Sequence, residues 1–223
     1  MPTAIPPRRF DLIAFDWDGT LSDSTAMIAS CIQQAVADVG GTVPSTEAAS
    51  HVIGLGLMQA LAHAAPDVPP ERHALLADRY RYHYFAQQHT LSLFPGVIEM
   101  LHSLRARGYL LAVATGKSRR GLDEALKNVA LQGMFDTTRT ADQTRGKPHP
   151  QMLHEIFGEL AVDPARTLMV GDTTHDLELA RNAACPSAAV SYGAHAPHAF
   201  AALGPLCIAE SVPQLHAWIL ANG

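Results

Sequence analysis

LIAFDWDGTLSDS, residues 12–24, carries a short apolar run that ends abruptly in two carboxylates, Asp16 and Asp18. In an extended strand, side chains two residues apart point to the same side, so we expect these two to project together while Trp17 faces away. Like charges this close raise one carboxyl pKa unless a cation or hydrogen-bond donors relieve them. The pair therefore predicts a divalent metal site, an acid and a base of unequal pKa, or both. An acidic turn with capping aspartates is the alternative for these residues taken alone.

Two further apolar runs of strand length end in polar residues in the same way, YLLAVATGKS (109–118) and RTLMVGDTTHD (166–176). Helical patterns accompany them, for example PGVIEMLHSLRARG (95–108), with apolar residues at helical spacing. Strands that alternate with helices indicate βα units on a parallel sheet with helices on both faces. We therefore predict an α/β fold with a doubly wound parallel sheet, in which ligands bind at the carboxyl ends of the strands.

Residues 24–89 interrupt this alternation. The segments 24–41 and 69–88 are long helical patterns, and the first repeats apolar residues on one face and stops at a glycine pair. A helical insert of this length after the first strand predicts a separate small domain. We assign residues 1–23 and 90–223 to an α/β core and residues 24–89 to the inserted domain.

The composition excludes several classes of protein. The chain has 223 residues, 48% of them apolar, which suffices for one sizeable core and a smaller unit. With a net charge of −5 and basic clusters no longer than a pair, we expect no nucleic-acid partner. The apolar run before Asp16 is too short for a signal peptide or a membrane span, and the three scattered cysteines favour a reducing compartment. We therefore predict a cytoplasmic protein without a membrane partner, and the oligomeric state stays open.

The second and third strand ends add polar groups to the same edge of the predicted sheet. Thr115 offers a hydroxyl, Gly116 a backbone amide and Lys117 a cation. Asp172 and Asp176 are four residues apart, so they share a face if a helix begins there. Aspartates at a helix start are normally caps, and this alternative stays open for both.

A lysine stands between Gly146 and Pro148 in the loop before the third strand. Pro148 restricts Lys147 to an extended backbone and lets a helix begin, so we expect the lysine at a defined place near the sheet edge. Gly19 permits a tight turn after the first strand, and Thr20 can hydrogen-bond a neighbouring carboxylate or backbone group. Together these groups can hold a hard divalent ion and a phosphoryl group beside a carboxylate that is free to attack.

The set resembles the haloacid dehalogenase superfamily. Its four motifs match DWDGT (16–20), ATGKS (114–118), Lys147 and GDTTHD (171–176). The helical insert resembles the cap domain of the superfamily's first subclass, and residues 94–118 resemble its phosphoglycolate phosphatase group. The resemblance implies a Mg²⁺-dependent phosphatase that hydrolyses a small-molecule phosphomonoester through an aspartyl-phosphate.

The resemblance also implies roles for single residues. Asp16 is the expected nucleophile, and Asp18 the expected acid and base. Mg²⁺ is expected on the Asp16 carboxylate, the backbone carbonyl of Asp18, and Asp172, with Asp176 orienting Lys147 or a metal-bound water.

Thr115, the Gly116 amide and Lys147 are expected to hold the phosphoryl oxygens, and Lys117 to lend positive charge near the entrance. In the insert, HVIGLGLMQ (51–59) is the candidate specificity loop, and Gly54 gives the substrate access to the backbone. The alternative for this loop is two glycines that merely end one helix before another.

Two other functions stay open on the sequence. A phosphomutase of the β-phosphoglucomutase type uses the same four motifs, and a non-catalytic binding protein could keep the fold without turnover. Dehalogenases of the superfamily lack the acid that Asp18 provides, so phosphoryl transfer is favoured. The leaving group of the substrate is not indicated by the sequence.

Overall fold

The computed structural model describes residues 8–127 and 129–223. Its strands, in chain order, are β1 (Leu12–Phe15), β2 (Ser22–Asp23), β3 (Ser92–Leu93), β4 (Leu110–Thr115), β5 (Thr137–Thr140), β6 (Thr167–Gly171), β7 (Ser187–Val190) and β8 (Ile208–Ala209). Its α-helices are α1 (Thr25–Asp38), α2 (Thr46–His51), α3 (Leu57–Ala64), α4 (His73–Gln87), α5 (Val97–Ala106), α6 (Arg119–Ala125), α7 (Gln151–Leu160), α8 (Thr174–Asn182) and α9 (Val212–Asn222).

Within the described residues, six strands form one parallel sheet in the order β5, β4, β1, β6, β7, β8. The chain therefore builds one half of the sheet outward from β1 through β4 and β5, and then returns to β6 on the other side of β1. This is the strand order of doubly wound folds that bind ligands where the winding direction reverses. The predicted fold class is confirmed.

The central strand β1 is buried on both faces, as expected for a parallel sheet covered by helices. Ile13 and Phe15 belong to an apolar cluster that includes residues of α5, α6 and α9. Leu12 and Ala14 belong to a second cluster with residues of α7 and α8. Because β1 is held from both sides, the residues that follow it leave the sheet at a fixed position.

The insert has an apolar cluster of its own, drawn mainly from α1 to α4. The two-stranded antiparallel ribbon of β2 and β3 lies where the chain enters and leaves this insert, with Ser22 opposite Leu93. From these features we propose that residues 24–89 form a separate domain. No helix among the described residues is long and apolar enough to cross a bilayer.

Two elements were not anticipated from the sequence. The edge strand β5 has the sequence TTRT, which lacks the apolar run that marks the other long strands, and it pairs in parallel with β4. The ribbon strands are two residues each, too short to produce a periodic pattern.

Candidate active site

The residues predicted at the strand ends come together at the carboxyl edge of the sheet. Thr115 ends β4, Asp16 directly follows β1, and Asp172 directly follows β6, the neighbour of β1. The amide of Asp16 donates to the carbonyl of Val170 at 2.9 Å, which extends the pairing of β1 and β6 by one step. Asp16 and Asp172 therefore lie where the winding of the sheet reverses, the usual ligand site of this architecture.

Three buried carboxylates and one buried lysine form the centre of the site. One oxygen from each of Asp16, Asp172 and Asp176 lies within 4.8 Å of the others. Lys147 is fully buried, and its Nζ donates to Oδ1 of Asp16 and to Oδ1 of Asp176, each at 2.6 Å. One cation facing three carboxylates leaves an excess of negative charge, and buried charge of one sign favours a bound cation.

Asp176 is both a helix cap and a partner of Lys147. Its Oδ2 accepts from the amide of Thr173 at 3.0 Å and from the Thr173 hydroxyl at 2.6 Å, completing a capping box at the start of α8. Its Oδ1 accepts a hydrogen bond from Lys147 Nζ. Asp176 therefore links Lys147 to the start of α8, a contact that orients the lysine.

Asp172 is held by donors on both oxygens. The Thr20 hydroxyl donates to Oδ1 at 2.8 Å, and the amide of Ala194 donates to Oδ2 at 2.7 Å. A Cβ atom on Gly19 or on Gly193 would collide with the Asp172 side chain, so two glycine backbones make room for this carboxylate. Thr20 thus contacts a carboxylate as the sequence predicts, whereas Gly193 gave no signal because the loop after β7 matches no motif.

Asp16 combines burial with an oxygen that lacks a partner. Its Oδ2 is buried and, among the described residues, accepts no hydrogen bond. Burial raises the pKa of Asp16 to about 7, although the charge of Lys147 opposes the increase. Burial and the neighbouring carboxylates also raise the pKa of Asp172 well above its usual value. A cluster of buried carboxylates in which two pKa values are raised fits an all-oxygen site for a hard divalent cation such as Mg²⁺.

Asp18 has a different environment from Asp16. Lys117 Nζ donates to both of its oxygens, at 2.8 and 2.9 Å, and the Ser24 hydroxyl donates to Oδ1 at 2.8 Å. Lys117 also contacts the Tyr84 hydroxyl at 2.9 Å, which connects α4 of the insert to the core. Although burial lowers the pKa of Lys117, the charges of Asp18 and Tyr84 raise it overall. Lys117, which the sequence predicts to bind substrate, therefore pairs with Asp18 in this structure. The contacts of Asp18 with Ser24 and of Lys117 with Tyr84 were not predicted from the sequence.

Trp17 faces away from these carboxylates, as the strand geometry predicts. Its side chain packs into the apolar cluster of the core, with its ring edge-on to Phe135 at 6.4 Å between centroids. The alternating orientation of side chains in the strand thus continues through Asp16, Trp17 and Asp18, beyond the end of β1.

A cavity of about 540 Å³ lies above Asp16, between the core and the insert. Six of the predicted site residues line it: Asp16, Asp18, Gly54, Thr115, Gly116 and Lys117. The other four, Thr20, Lys147, Asp172 and Asp176, are fully or almost fully buried and do not line the cavity. The site therefore has a layer at the cavity wall and a buried layer behind it, and the contact between Lys147 and Asp16 connects the two.

Gly54 and Gly116 meet at the boundary between insert and core. A Cβ atom on Gly116 would lie 2.5 Å from the carbonyl oxygen of Gly54, so the two backbones touch only because position 116 is glycine. Gly54 itself has φ of 94°, a left-handed conformation that favours glycine. The predicted specificity loop thus lies directly over the end of β4.

Three histidines form a contact between the insert and the core beside this site. His175 Nε2 and His195 Nε2 both donate to the backbone carbonyl of His51, each at 3.0 Å. The rings of His51 and His195 are stacked with centroids 4.7 Å apart. Burial lowers the pKa of His195 to about 4, which favours neutral imidazoles in this contact. The three residues are widely separated in the sequence, so no spacing could have revealed them.

Comparison with known proteins agrees with this geometry. The family model for haloacid dehalogenase-like hydrolases matches residues 13–190. The chain is 33% identical to a probable phosphatase, IndB, of Dickeya dadantii over 210 residues, covering 92% of this chain and 91% of that protein. It is 34% identical to a phosphoglycolate phosphatase of Aliivibrio fischeri over 191 residues, covering 82% of this chain and 84% of that protein.

Solved structures show the same architecture. The crystal structure of a predicted phosphoglycolate phosphatase from Haemophilus somnus superimposes with a TM-score of 0.82 at 27% identity, covering 96% of this chain and 97% of that one. The resemblance inferred from the four motifs and the expectation of an enzyme of the phosphatase class are both confirmed. This chain belongs to the haloacid dehalogenase-like hydrolase family.

Proposed function

We propose that this hydrolase is a Mg²⁺-dependent phosphatase that cleaves a small phosphomonoester through an aspartyl-phosphate on Asp16, in the manner of a phosphoglycolate phosphatase. The observation that carries the proposal is the orphaned Oδ2 of Asp16, which belongs to a carboxylate at the cavity wall held on its other oxygen by Lys147. A carboxylate fixed on one oxygen and unpartnered on the other is oriented for attack on phosphorus.

The carboxylates of Asp16 and Asp172 and the backbone carbonyl of Asp18 would hold Mg²⁺. When bound, the ion neutralises charge on the phosphoryl oxygens and on the carboxylates around it. Asp18 would contribute its backbone carbonyl, which leaves its carboxylate for proton transfer.

The chain's own residues account for the two displacements. In the first, an oxygen of Asp16 forms a bond to phosphorus while the bond from phosphorus to the leaving oxygen breaks, and Asp18 donates a proton to that oxygen. In the second, Asp18 removes a proton from water, the water oxygen attacks phosphorus, and the Asp16 carboxylate is released. Asp18 lines the same cavity as Asp16, as both steps require.

The remaining residues offset the charge of Asp16 and position the phosphoryl group. Lys147 offsets the negative charge of Asp16 and is oriented by Asp176. Although burial lowers the pKa of Lys147, its two carboxylate partners raise it above the usual value, so it remains a cation. Thr115 and the Gly116 amide line the cavity wall beside Asp16, where phosphoryl oxygens would be bound.

The test is phosphate release from small phosphomonoesters, phosphoglycolate included, with Mg²⁺ or with EDTA. Wild type should release phosphate only with Mg²⁺, and Asp16→Asn should be inactive while Asp23→Asn, which changes an exposed carboxylate at the ribbon, retains activity. Release that survives EDTA or Asp16→Asn would contradict the proposal. Transfer of the phosphoryl group to a second hydroxyl of the substrate would identify the phosphomutase alternative.

A cytoplasmic location without membrane or nucleic-acid partners remains part of the proposal. Its support is the three free cysteines, Cys31, Cys185 and Cys207, of which the first two are buried. Free thiols are typical of a reducing compartment.

A further inference from the structure

The insert covers the cavity above Asp16 with apolar and aromatic side chains. They come from three of its helices: Ile28 and Ile32 from α1, Leu57 and Met58 from α3, and Tyr80 and Phe85 from α4. On α4, the rings of Tyr80 and Tyr84 are stacked with centroids 5.9 Å apart, and the ring of Phe85 meets Tyr84 edge-on at 6.0 Å. The part of the substrate that extends away from phosphorus therefore meets hydrocarbon and aromatic faces.

Two of the three cations that line the cavity in the described residues are paired with carboxylates. Lys117 bonds Asp18 and Tyr84. Arg81 pairs with Asp78 at 2.8 Å, and the guanidinium of Arg120 lies 5.3 Å from the ring centre of Phe85. A carboxylate on the leaving group that does not reach Arg120 would have to displace one of the two acidic partners or remain unpaired against apolar surface, which is costly.

The volume of the cavity also exceeds what a two-carbon leaving group can fill. At about 540 Å³ it lies within the range of about 300–1,000 Å³ that encloses drug-sized ligands. A glycolate leaving group would leave most of this apolar space in contact with water. A ring-bearing leaving group would fill it and stack on the aromatic residues of α4.

From this lining we propose that the substrate is a phosphomonoester of a bulky, ring-bearing alcohol rather than of a small carboxylic acid. The inference rests on the proposed hydrolysis at Asp16 and departs from a phosphoglycolate phosphatase only in the class of leaving group. Water replaces the alcohol at phosphorus, so the products are the free alcohol and inorganic phosphate. The phosphoryl end is bound as for any monoester, and selectivity arises in the apolar cavity.

The test compares three esters whose leaving groups are unactivated primary alcohols: 2-phenylethyl phosphate, ethyl phosphate and phosphoglycolate. We expect kcat/KM for 2-phenylethyl phosphate to exceed that for each two-carbon ester at least about tenfold, the scale of discrimination by an apolar pocket. A preference for phosphoglycolate, or equal values for the three, overturns the inference and leaves the proposed function standing.

Acetyl phosphate, a mixed anhydride with acetate as its leaving group, serves as a small activated phosphoryl donor that makes little demand on the cavity. If wild type hydrolyses acetyl phosphate but none of the three alkyl esters, the inference about the leaving group is wrong. If it hydrolyses none of the four with Mg²⁺, the proposed function itself fails. The two failures are therefore distinguishable in one set of assays.

A pair of matched variants connects the preference to the cavity. Met58 lines the cavity and is 48% exposed, whereas Val43 lies elsewhere in the insert and is 49% exposed. Met58→Lys places a new cation at the cavity, so the ratio of kcat/KM for 2-phenylethyl phosphate to that for phosphoglycolate should fall at least about fivefold. Val43→Lys should leave the ratio unchanged. An unchanged ratio in Met58→Lys, or an equal fall in both variants, contradicts the assignment.

Discussion

The raised pKa of Asp16 predicts that the metal-free protein becomes less stable as pH rises. Its pKa is 3.8 in an unfolded chain and about 7 in the folded protein, because burial disfavours the carboxylate. The folded state therefore binds the proton more tightly, and stability falls as pH rises from about 4 to about 7. At about 1.4 kcal/mol for each pH unit, Asp16 alone accounts for a loss of about 4 kcal/mol over this window.

Asp16→Asn should remove this contribution, because an amide does not ionise. In urea titrations with EDTA, we expect the free energy of unfolding of wild type to fall between pH 5 and pH 8 by about 3 kcal/mol more than that of the variant. Asp23→Asn is the control and should follow wild type. Addition of Mg²⁺ should restore wild type most strongly at pH 8, where the carboxylates are ionised.

Either of two results would refute this reasoning. One is a pH dependence of Asp16→Asn that equals that of wild type, which would mean that Asp16 is not desolvated as its burial implies. The other is a wild-type stability that falls less than that of Asp16→Asn between pH 5 and pH 8 in EDTA, which would give the Asp16 contribution the opposite sign.

Three further substitutions test the buried layer of the site. Lys147→Met should lower the free energy of unfolding in EDTA by about 3–5 kcal/mol, measured by urea denaturation, since two buried carboxylates lose their cation; a change below about 1 kcal/mol would contradict this. Thr20→Val should weaken Mg²⁺ binding about 10–100-fold by calorimetry, because one oxygen of Asp172 loses its donor, and unaltered affinity would exclude that role. Gly193→Ala should abolish activity through collision with Asp172, whereas Gly158→Ala, in open space on α7, should retain activity and raise the melting temperature; an active Gly193→Ala would show that Asp172 can move without loss.

The sequence alone was sufficient to predict the fold class and the polar residues at the ends of β1, β4 and β6. Apolar runs that stop at Asp16, Thr115 and near Asp172 mark parallel strands, and a parallel sheet brings its carboxyl ends to one edge. The pattern failed for β5, since an edge strand can be made of threonines and an arginine when one face is open to solvent. Periodicity detects burial, and β5 is only partly buried.

The contacts between distant segments could not be predicted in the same way. Tyr84 meets Lys117 only in the folded protein, where α4 and the segment after β4 line the same cavity. One tyrosine in the run YRYHYF (80–85) is indistinguishable from the next on sequence alone. Gly193 is required only because Asp172 happens to lie against its backbone. The sequence offers capping and an orienting role as alternatives for Asp176, and the structure shows one oxygen in the helix cap and the other bonded to Lys147.

Chemical trapping of the covalent intermediate tests the central claim most directly. Borohydride added during turnover with Mg²⁺ reduces an acyl phosphate, so peptide mass spectrometry should find homoserine at position 16 and an unmodified residue at position 18. The modification should depend on substrate and be absent from Asp16→Asn. Rapid phosphate release without any modification of Asp16, or with trapping at another carboxylate, would contradict the account.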